Sequence, residues 1–226
     1  MNKFWSMGVL VSICIVASTS WANDVYLDQL GNNSTTTIEQ VGSANKVGTS
    51  VDAASSVSGN NATINVKQTG TSNSNMYKIV GDTNIYNSQV NGNSNSVTYR
   101  CGGIGTTASG SCSGSNVTET VTGNANTMIT TTIGSGNHNS VTVTGNTNSV
   151  TTTMETSNAT GSLVLNGDNN TTNHTITGVG GTGHVLAMNI TGSSNSVSTT
   201  QSGSNTTTVN LNINGTSNTF VVRTGN

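Results

Sequence analysis

The sequence predicts an all-β protein, a β-solenoid of 22-residue coils, each made of two 11-residue strand-turn units. Three observations lead there. Gly followed three residues later by Asn recurs at Gly42/Asn45, Gly70/Asn73, Gly81/Asn84, Gly92/Asn95, Gly123/Asn126, Gly134/Asn137, Gly145/Asn148, Gly167/Asn170, Gly192/Asn195 and Gly215/Asn218, with the glycines stepping by 11 along much of the chain. Between these turns every second residue is enriched in apolar types, the period of a strand with one buried and one solvated face. Asn, Thr, Ser and Gly together fill 134 of the 226 residues, Pro is absent and charged residues reach 6%. So uncharged, Thr-rich and Asn-rich a chain has the composition of stacked-strand proteins rather than of a charged, disordered one.

The chain opens on a segment with the pattern of a secretory signal peptide over residues 1–22. Lys3 supplies a positive start, Met7 to Ala17 an apolar run too short to span a bilayer, and Ser20-Trp21-Ala22 a small-x-small cleavage site. Residues 23–226 then form the repeat region, beginning with a coil near Val25 to Gly31 that has no evident cap. The inward parity of successive strands reads Ser34, Thr36, Ile38, Gln40; Ala62, Ile64, Val66, Gln68; Asn75, Tyr77, Ile79; Asn148, Val150, Thr152, Met154; Gly161, Leu163, Leu165; His184, Leu186, Met188, Ile190; Asn195, Val197, Thr199, Gln201; and Thr207, Val209, Leu211, Ile213. Gly42, Gly70, Gly81, Gly92, Gly123, Gly145, Gly167, Gly192 and Gly215 are the turn glycines, supplying backbone conformations other residues avoid. The Asn of each turn is expected to tolerate such conformations too while bonding its own backbone.

A unit this short cannot bury its narrow apolar face alone, so it must stack, each strand pairing with its equivalent one coil away. Some nine coils are expected, a rod on the order of 40 Å long. Inward amides would form ladders that hydrogen-bond up and down the column, with Gln40, Asn45, Gln68, Asn73, Asn84, Asn95, Asn148, Asn195 and Gln201 as the expected members. The rhythm breaks near 47–58, 99–114 and 178–183, which read as inserts leaving the rod. Cys101 and Cys112 bracket the second of these, and an even pair in an exported chain reads as one disulfide stapling the excursion. A sandwich or barrel of short strands would fit the alternation but gives no reason for a fixed period of 11. At the far end Phe220, Val221 and Val222 form an uncharged, β-prone strand whose edge could pair with another chain.

Composition also excludes function classes. Six Lys and Arg against eight Asp and Glu leave a net charge of −2, without the clustered cations that phosphate backbones require. The acids Asp28, Glu39, Asp52, Asp82, Glu119, Glu155 and Asp168 stand singly, and His138, His174 and His184 share no metal-ligand spacing. No nucleophile triad, phosphate loop or dinucleotide fingerprint is present, so neither enzyme, cofactor nor metal is expected. Thr-x-Thr recurs at Thr35/Thr37, Thr130/Thr132, Thr142/Thr144, Thr151/Thr153, Thr175/Thr177 and Thr206/Thr208. Aligned columns of such pairs resemble ice-binding solenoids, but these take both parities and do not form one obvious face.

Ser34, Gln40, Gly42, Asn45 and Val47 in this order resemble the curlin repeat, Ser-x5-Gln-x-Gly-x2-Asn-x-Ala; Ala62, Gln68, Gly70, Asn73 and Asn75 follow it with two substitutions. Gln29-Leu30-Gly31 and Gln201-Ser202-Gly203 carry its Gln-x-Gly part. The resemblance implies a β-solenoid with ladder positions at Gln40, Gln68, Asn45 and Asn73. It further implies an exported bacterial subunit, secreted or on the surface of a Gram-negative-type cell, that self-associates into amyloid fibres of biofilm matrix and adhesion. Its implied partners are an outer-membrane secretion channel and a nucleator. Curli subunits carry a Gly-rich segment between signal and repeats that the channel reads, whereas here Asp24 to Gln29 begins the repeats almost at once.

Overall fold

A computed structural model describes residues 10–17, 22–48, 54–102 and 111–225, with the backbone alone for 10–17 and 179–182. Two parallel sheets run the length of a solenoid. The first holds β1 (Leu10–Ala17), β4 (Thr35–Ser43), β7 (Thr63–Thr71), β9 (Ile85–Asn91), β11 (Asn116–Thr122), β13 (His138–Thr144), β15 (Thr160–Asn166), β17 (Val185–Thr191) and β19 (Thr208–Asn214), in that spatial order. The second holds β2 (Asp24–Val25), β5 (Lys46–Val47), β8 (Ser74–Val80), β10 (Ser96–Cys101), β12 (Thr127–Ile133), β14 (Ser149–Ser157), β16 (Thr171–Thr182), β18 (Ser196–Ser202) and β20 (Thr219–Thr224); β3 (Leu27–Leu30) and β6 (Ser55–Ser58) continue its first rungs. Each chain segment alternates between the sheets, so the sequence-predicted all-β solenoid is the observed fold.

Every strand pairs in parallel with its equivalent one coil away, because identical spacing places identical parity in one column. Ile38, Val66, Ser88, Glu119, Val141, Leu163, Met188 and Leu211 share one such register column. Of the inward residues read from the sequence, all except Thr207 and Leu211 are buried or, at Gly161, contribute no side chain. The core changes character along the rod. Val, Leu, Ile and Met fill it from Val90 to Ile213, whereas the earlier rungs bury Tyr77, Tyr86 and Tyr99 among Ile and Val. Tyr86 and Tyr99 stack with ring centroids 4.7 Å apart, large rings closing a section that methyl groups fill elsewhere.

Between equivalent residues of the first sheet the chain advances by 28, 22, 31, 22, 22, 25 and 23 residues. The three larger surpluses over 22 are localised by register, and the last step carries one extra residue. Val47 pairs with Asn75 but Ser56 with Lys78, so the first surplus lies between Val47 and Ser56. Gly102 still donates to Thr132 O and Cys112 to Val80 O, which confines the second to the stretch between them. The third falls between Thr177 and Thr182, opposite Glu155 and Ser157. These surplus residues explain why eight rungs run from β4 to β19 where nine coils were expected. Residues 49–53 and 103–110 of the inserts lie outside the described residues.

Candidate assembly interface

Two corners join the sheets, and only one is uniform. At the corner leading from the first sheet to the second, each of the eight rungs from β4 to β19 presents Gly-x-x-Asn. Gly123 has φ +126°, and a Cβ there would run into the carbonyl of Gly145 in the next rung, so the rungs can stack at their hydrogen-bonded distance only if this residue is Gly. The left-handed conformation falls on the residue before each Asn, such as Ala125 at φ 55° or Thr147 at φ 58°, and not on the Asn itself. That corrects the expectation that Asn tolerates the unusual backbone. Its role is to turn its amide into the rod.

The inward amides form one column through Asn45, Asn73, Asn95, Asn126, Asn148, Asn170, Asn195 and Asn218, with Asn23 beneath it. Asn126 shows the repeated unit. Its backbone N–H and its Nδ2 both donate to Asn95 Oδ1 at 3.0 Å, while Nδ2 also donates to Gly145 O at 2.7 Å. Its own Oδ1 accepts from the backbone N and the Nδ2 of Asn148, at 2.9 and 3.0 Å. Two amide protons and one carbonyl are thereby satisfied inside the rod, which a buried primary amide requires. A second column runs outside the same corner in the reverse sense: Asn93 N donates to Asn124 Oδ1, Asn124 N to Asn146 Oδ1, and Asn146 N to Asp168 Oδ1 at 2.9, 2.9 and 2.6 Å.

Of the amides expected in ladders, Asn45, Asn73, Asn95, Asn148 and Asn195 stand in this inner column. Asn126, Asn170, Asn218 and Asn23 belong to it as well and were not singled out, although the first three carry the same Gly-x-x-Asn signal. Asn84 stands at the opposite corner, where its Nδ2 donates to Gly81 O at 2.9 Å and its Oδ1 accepts from Ser115 N at 3.1 Å. Gln40 and Gln68 pair with each other, Nε2 to Oε1 at 2.9 Å, and the column continues with Val90. Gln201 has no Gln neighbour; its Nε2 donates to Val185 O and Thr207 O at 3.0 and 3.2 Å. All nine turn glycines have positive φ, Gly81 again at the second corner.

That second corner is heterogeneous. Its inward position is held in turn by Ser34, Ala62, Asn84, Ser115, Asn137, Ala159, His184 and Thr207. The surplus between Gly102 and Cys112 and the register shift within β16 after Thr177 both fall at it, and a disulfide joins Cys101 to Cys112 across the former, Cα atoms 5.5 Å apart. His174 and His184 are both buried. Burial lowers the His174 imidazole to about 4, and His184 Nδ1 lies 2.8 Å from Thr207 Oγ1.

One of the singly standing acids, Glu119, is buried. Glu119 faces inward on β11 and accepts from Tyr86 Oη at 2.8 Å; Tyr86 Oη also reaches Asn75 Oδ1 at 3.3 Å, and Asn75 Nδ2 donates to Ser88 Oγ at 2.6 Å. Burial pushes the Glu119 carboxyl up to about 7. Its inward parity between Val117 and Val121 was the available signal. Among the described residues no three or more His, Cys, Asp or Glu converge as a metal site. No helix among them is long and apolar enough to cross a membrane.

Parallel two-sheet stacking around an amide-laddered corner defines a repetitive structural β-solenoid, a class whose chemistry is the repeated rung itself. Residues 31–70 match the family model of the curlin associated repeat, so β4 and most of β7, with the turns before and after β4, carry that repeat. No significant match to a curated protein was found, nor to a solved structure.

Proposed function

We propose that residues 23–226 are an exported, curli-like fibre subunit that adds end to end and serves as structural material of an extracellular matrix, in cell adhesion and biofilm. The observation that carries this reading is the Asn column. Its backbone N–H to Oδ1 bonds run unbroken from Asn23 to Asn218, and amide-to-amide bonds join them from Asn45 upward, so each rung presents the same pairing to the next. A second copy placed on the last rung would extend the two sheets and the column by the same pairings. Phe220 on β20 is 38% exposed although its register partner Val197 is buried, so that rung offers apolar surface as well as strand edges. An outer-membrane channel and a nucleator are the partners this role implies. Electron microscopy and fibre diffraction test it: fibres with a meridional reflection of roughly 4.8 Å are expected, and a stable, dye-negative monomer at high concentration would sink the proposal.

One feature favours a second reading, a non-polymerising rod that binds an ice or carbohydrate surface. Thr131, Thr153, Thr175 and Thr200 form an uninterrupted outward column on the second sheet. The Thr-x-Thr pairs as a set still divide between both outer faces and, at Thr130 and Thr132, the interior. Thermal hysteresis or glycan binding by a monomer would support this reading.

A further inference from the structure

The apolar run at the start of the chain is strand β1, seated on β4 in parallel register over eight residue pairs from Leu10↔Thr35 to Ala17↔Gly42. It is the outermost strand of the first sheet, so in the full chain the edge of β4 is already paired. The register also says what β1 stands in for. Val11, Ile13 and Ile15 occupy the columns of Thr36, Ile38 and Gln40. Followed through the sheet, those three columns end at Val209, Leu211 and Ile213 of β19. The leader thus repeats the Val-x-Leu/Ile-x-Ile pattern of the last strand at the one edge where the last strand of another copy would have to dock.

We infer that the Leu10–Ala17 strand is an internal cap that occupies the β4 edge and blocks head-to-tail addition of a second copy until the leader is removed. The inference rests on the fibre reading above and adds its control. The competing ligands have matching strand length and alternation, with eight residues in β1 and seven in β19. A β-edge accepts one partner, so occupation is mutually exclusive. Cleavage after Ala22 would release the cap and leave Asn23, the lowest member of the amide column, in place. Addition competence would therefore appear at the step that separates the chain from its leader.

The full chain tests this without truncation. Cys14 is the register partner of Glu39, and parallel neighbours lie within the Cα separation a disulfide spans. Full-length Glu39→Cys under mild oxidation is expected to yield a cross-link between Cys14 and the thiol introduced by that substitution, read by peptide mass mapping, whereas Gln89→Cys, two rungs on, is not. Full-length Ile13→Asp places a charge at the register position of Ile38, and seeded elongation should then rise on the order of 10–100-fold over the unaltered full chain, the gain expected when a state populated at a few per cent becomes dominant. The cross-linked chain should not elongate. Failure of the Glu39→Cys chain to form its link to Cys14, or equal elongation by the cross-linked, unaltered and Ile13→Asp chains, overturns the cap. Absence of fibres from every form overturns the fibre reading itself and the block with it.

Discussion

The two corners of the rod solve the same problem, reversing the chain between two sheets, under different constraints. Where Asn45 through Asn218 stack, every rung keeps four residues from Gly to Asn, because each amide bonds the rung below and the glycine carbonyl above. At the opposite corner, Ser34, Ala62, Ser115 and Ala159 interrupt any such column, and there the chain takes up surplus residues, between Gly102 and Cys112 and as a register shift within β16 after Thr177. A ladder demands identical length as well as identical residues. Once it lapses, only the flanking strands must stay in register, and surplus chain between them costs little more than loop closure.

The largest effect should come from breaking the uniform corner at its glycine. Gly123→Ala puts a Cβ against the Gly145 carbonyl at φ +126°, a backbone region closed to L side chains, and should cost about 3–5 kcal/mol. Gly136→Ala at the other corner meets only the Asn158 side chain, which can swing away, and should cost less despite its positive φ. Urea midpoints of the two variants measure the difference; equal losses would mean that the corners are equally constrained.

Asn126→Ala comes next. It removes the side-chain partners of Gly145 O and of the Asn148 N–H inside the rod, while Asn95 Oδ1 keeps the backbone N–H of residue 126, and each group left unsatisfied costs roughly 1–3 kcal/mol. A net loss of about 3 kcal/mol is expected. Asn84→Gln probes the other corner, where the amide bonds only its own turn glycine and one Ser115 N–H, and a loss of about 1 kcal/mol should suffice there. If Asn126→Ala proves as mild, the column is not what holds the corner together.

Much of this contrast was legible beforehand. The step of 11 fixed the rung, and parity alone placed Ile38, Tyr77, Leu163 and Met188 in the core. The turn motif also marked the ladder, but the two corners carry the same motif wherever Asn84 or Asn137 occurs, and only the alternation of strands between sheets assigns Asn84 to one and Asn95 to the other. Gln201 matched a Gln-x-Gly signature yet stacks on no amide, since its column neighbours are Ile176 and Thr224. Pairing across rungs depends on what lies 22 to 31 residues away, and a local pattern does not encode that distance. Glu119 is one of the acids that stand singly in the sequence, and only its parity between Val117 and Val121, a strong constraint in a solenoid, separates it from the others as a core residue.

The rung that follows the longest excursion is also the one that buries Glu119, which makes pH a finer probe of the irregular part of the rod. With its folded value raised to about 7 from an ordinary 4.5, Glu119 favours the fold at low pH, and that contribution is lost as pH rises through this window. His174 acts oppositely. Lowered to about 4 from 6.5, it favours the fold above 6.5 and loses that contribution as pH falls toward 4. Between 4.5 and 6.5 the two slopes offset each other. Glu119→Gln keeps an acceptor for Tyr86 and removes one slope, so its stability relative to the parent should improve on the order of 2–3 kcal/mol from pH 4.5 to 7.5. Parallel urea midpoints for both proteins across that range would show that the carboxyl is not held neutral by the core.

The smallest effect should come from enlarging the irregular corner. Eight Gly and Ser residues added between Gly102 and Ser111 roughly double the surplus chain, and doubling a flexible loop costs about 0.6 kcal/mol. The strands on either side are pinned independently: Cys101 pairs with Ile79 and Thr132, Asn116 with Ile85 and His138, and the disulfide holds the base of the excursion. The added residues therefore have no register to disturb. A urea midpoint shift equivalent to more than about 2 kcal/mol, well beyond loop closure, would mean that the excursion packs on the rod and supplies stability of its own. A small shift would mean that rung length is enforced where the amide column runs and released where it does not.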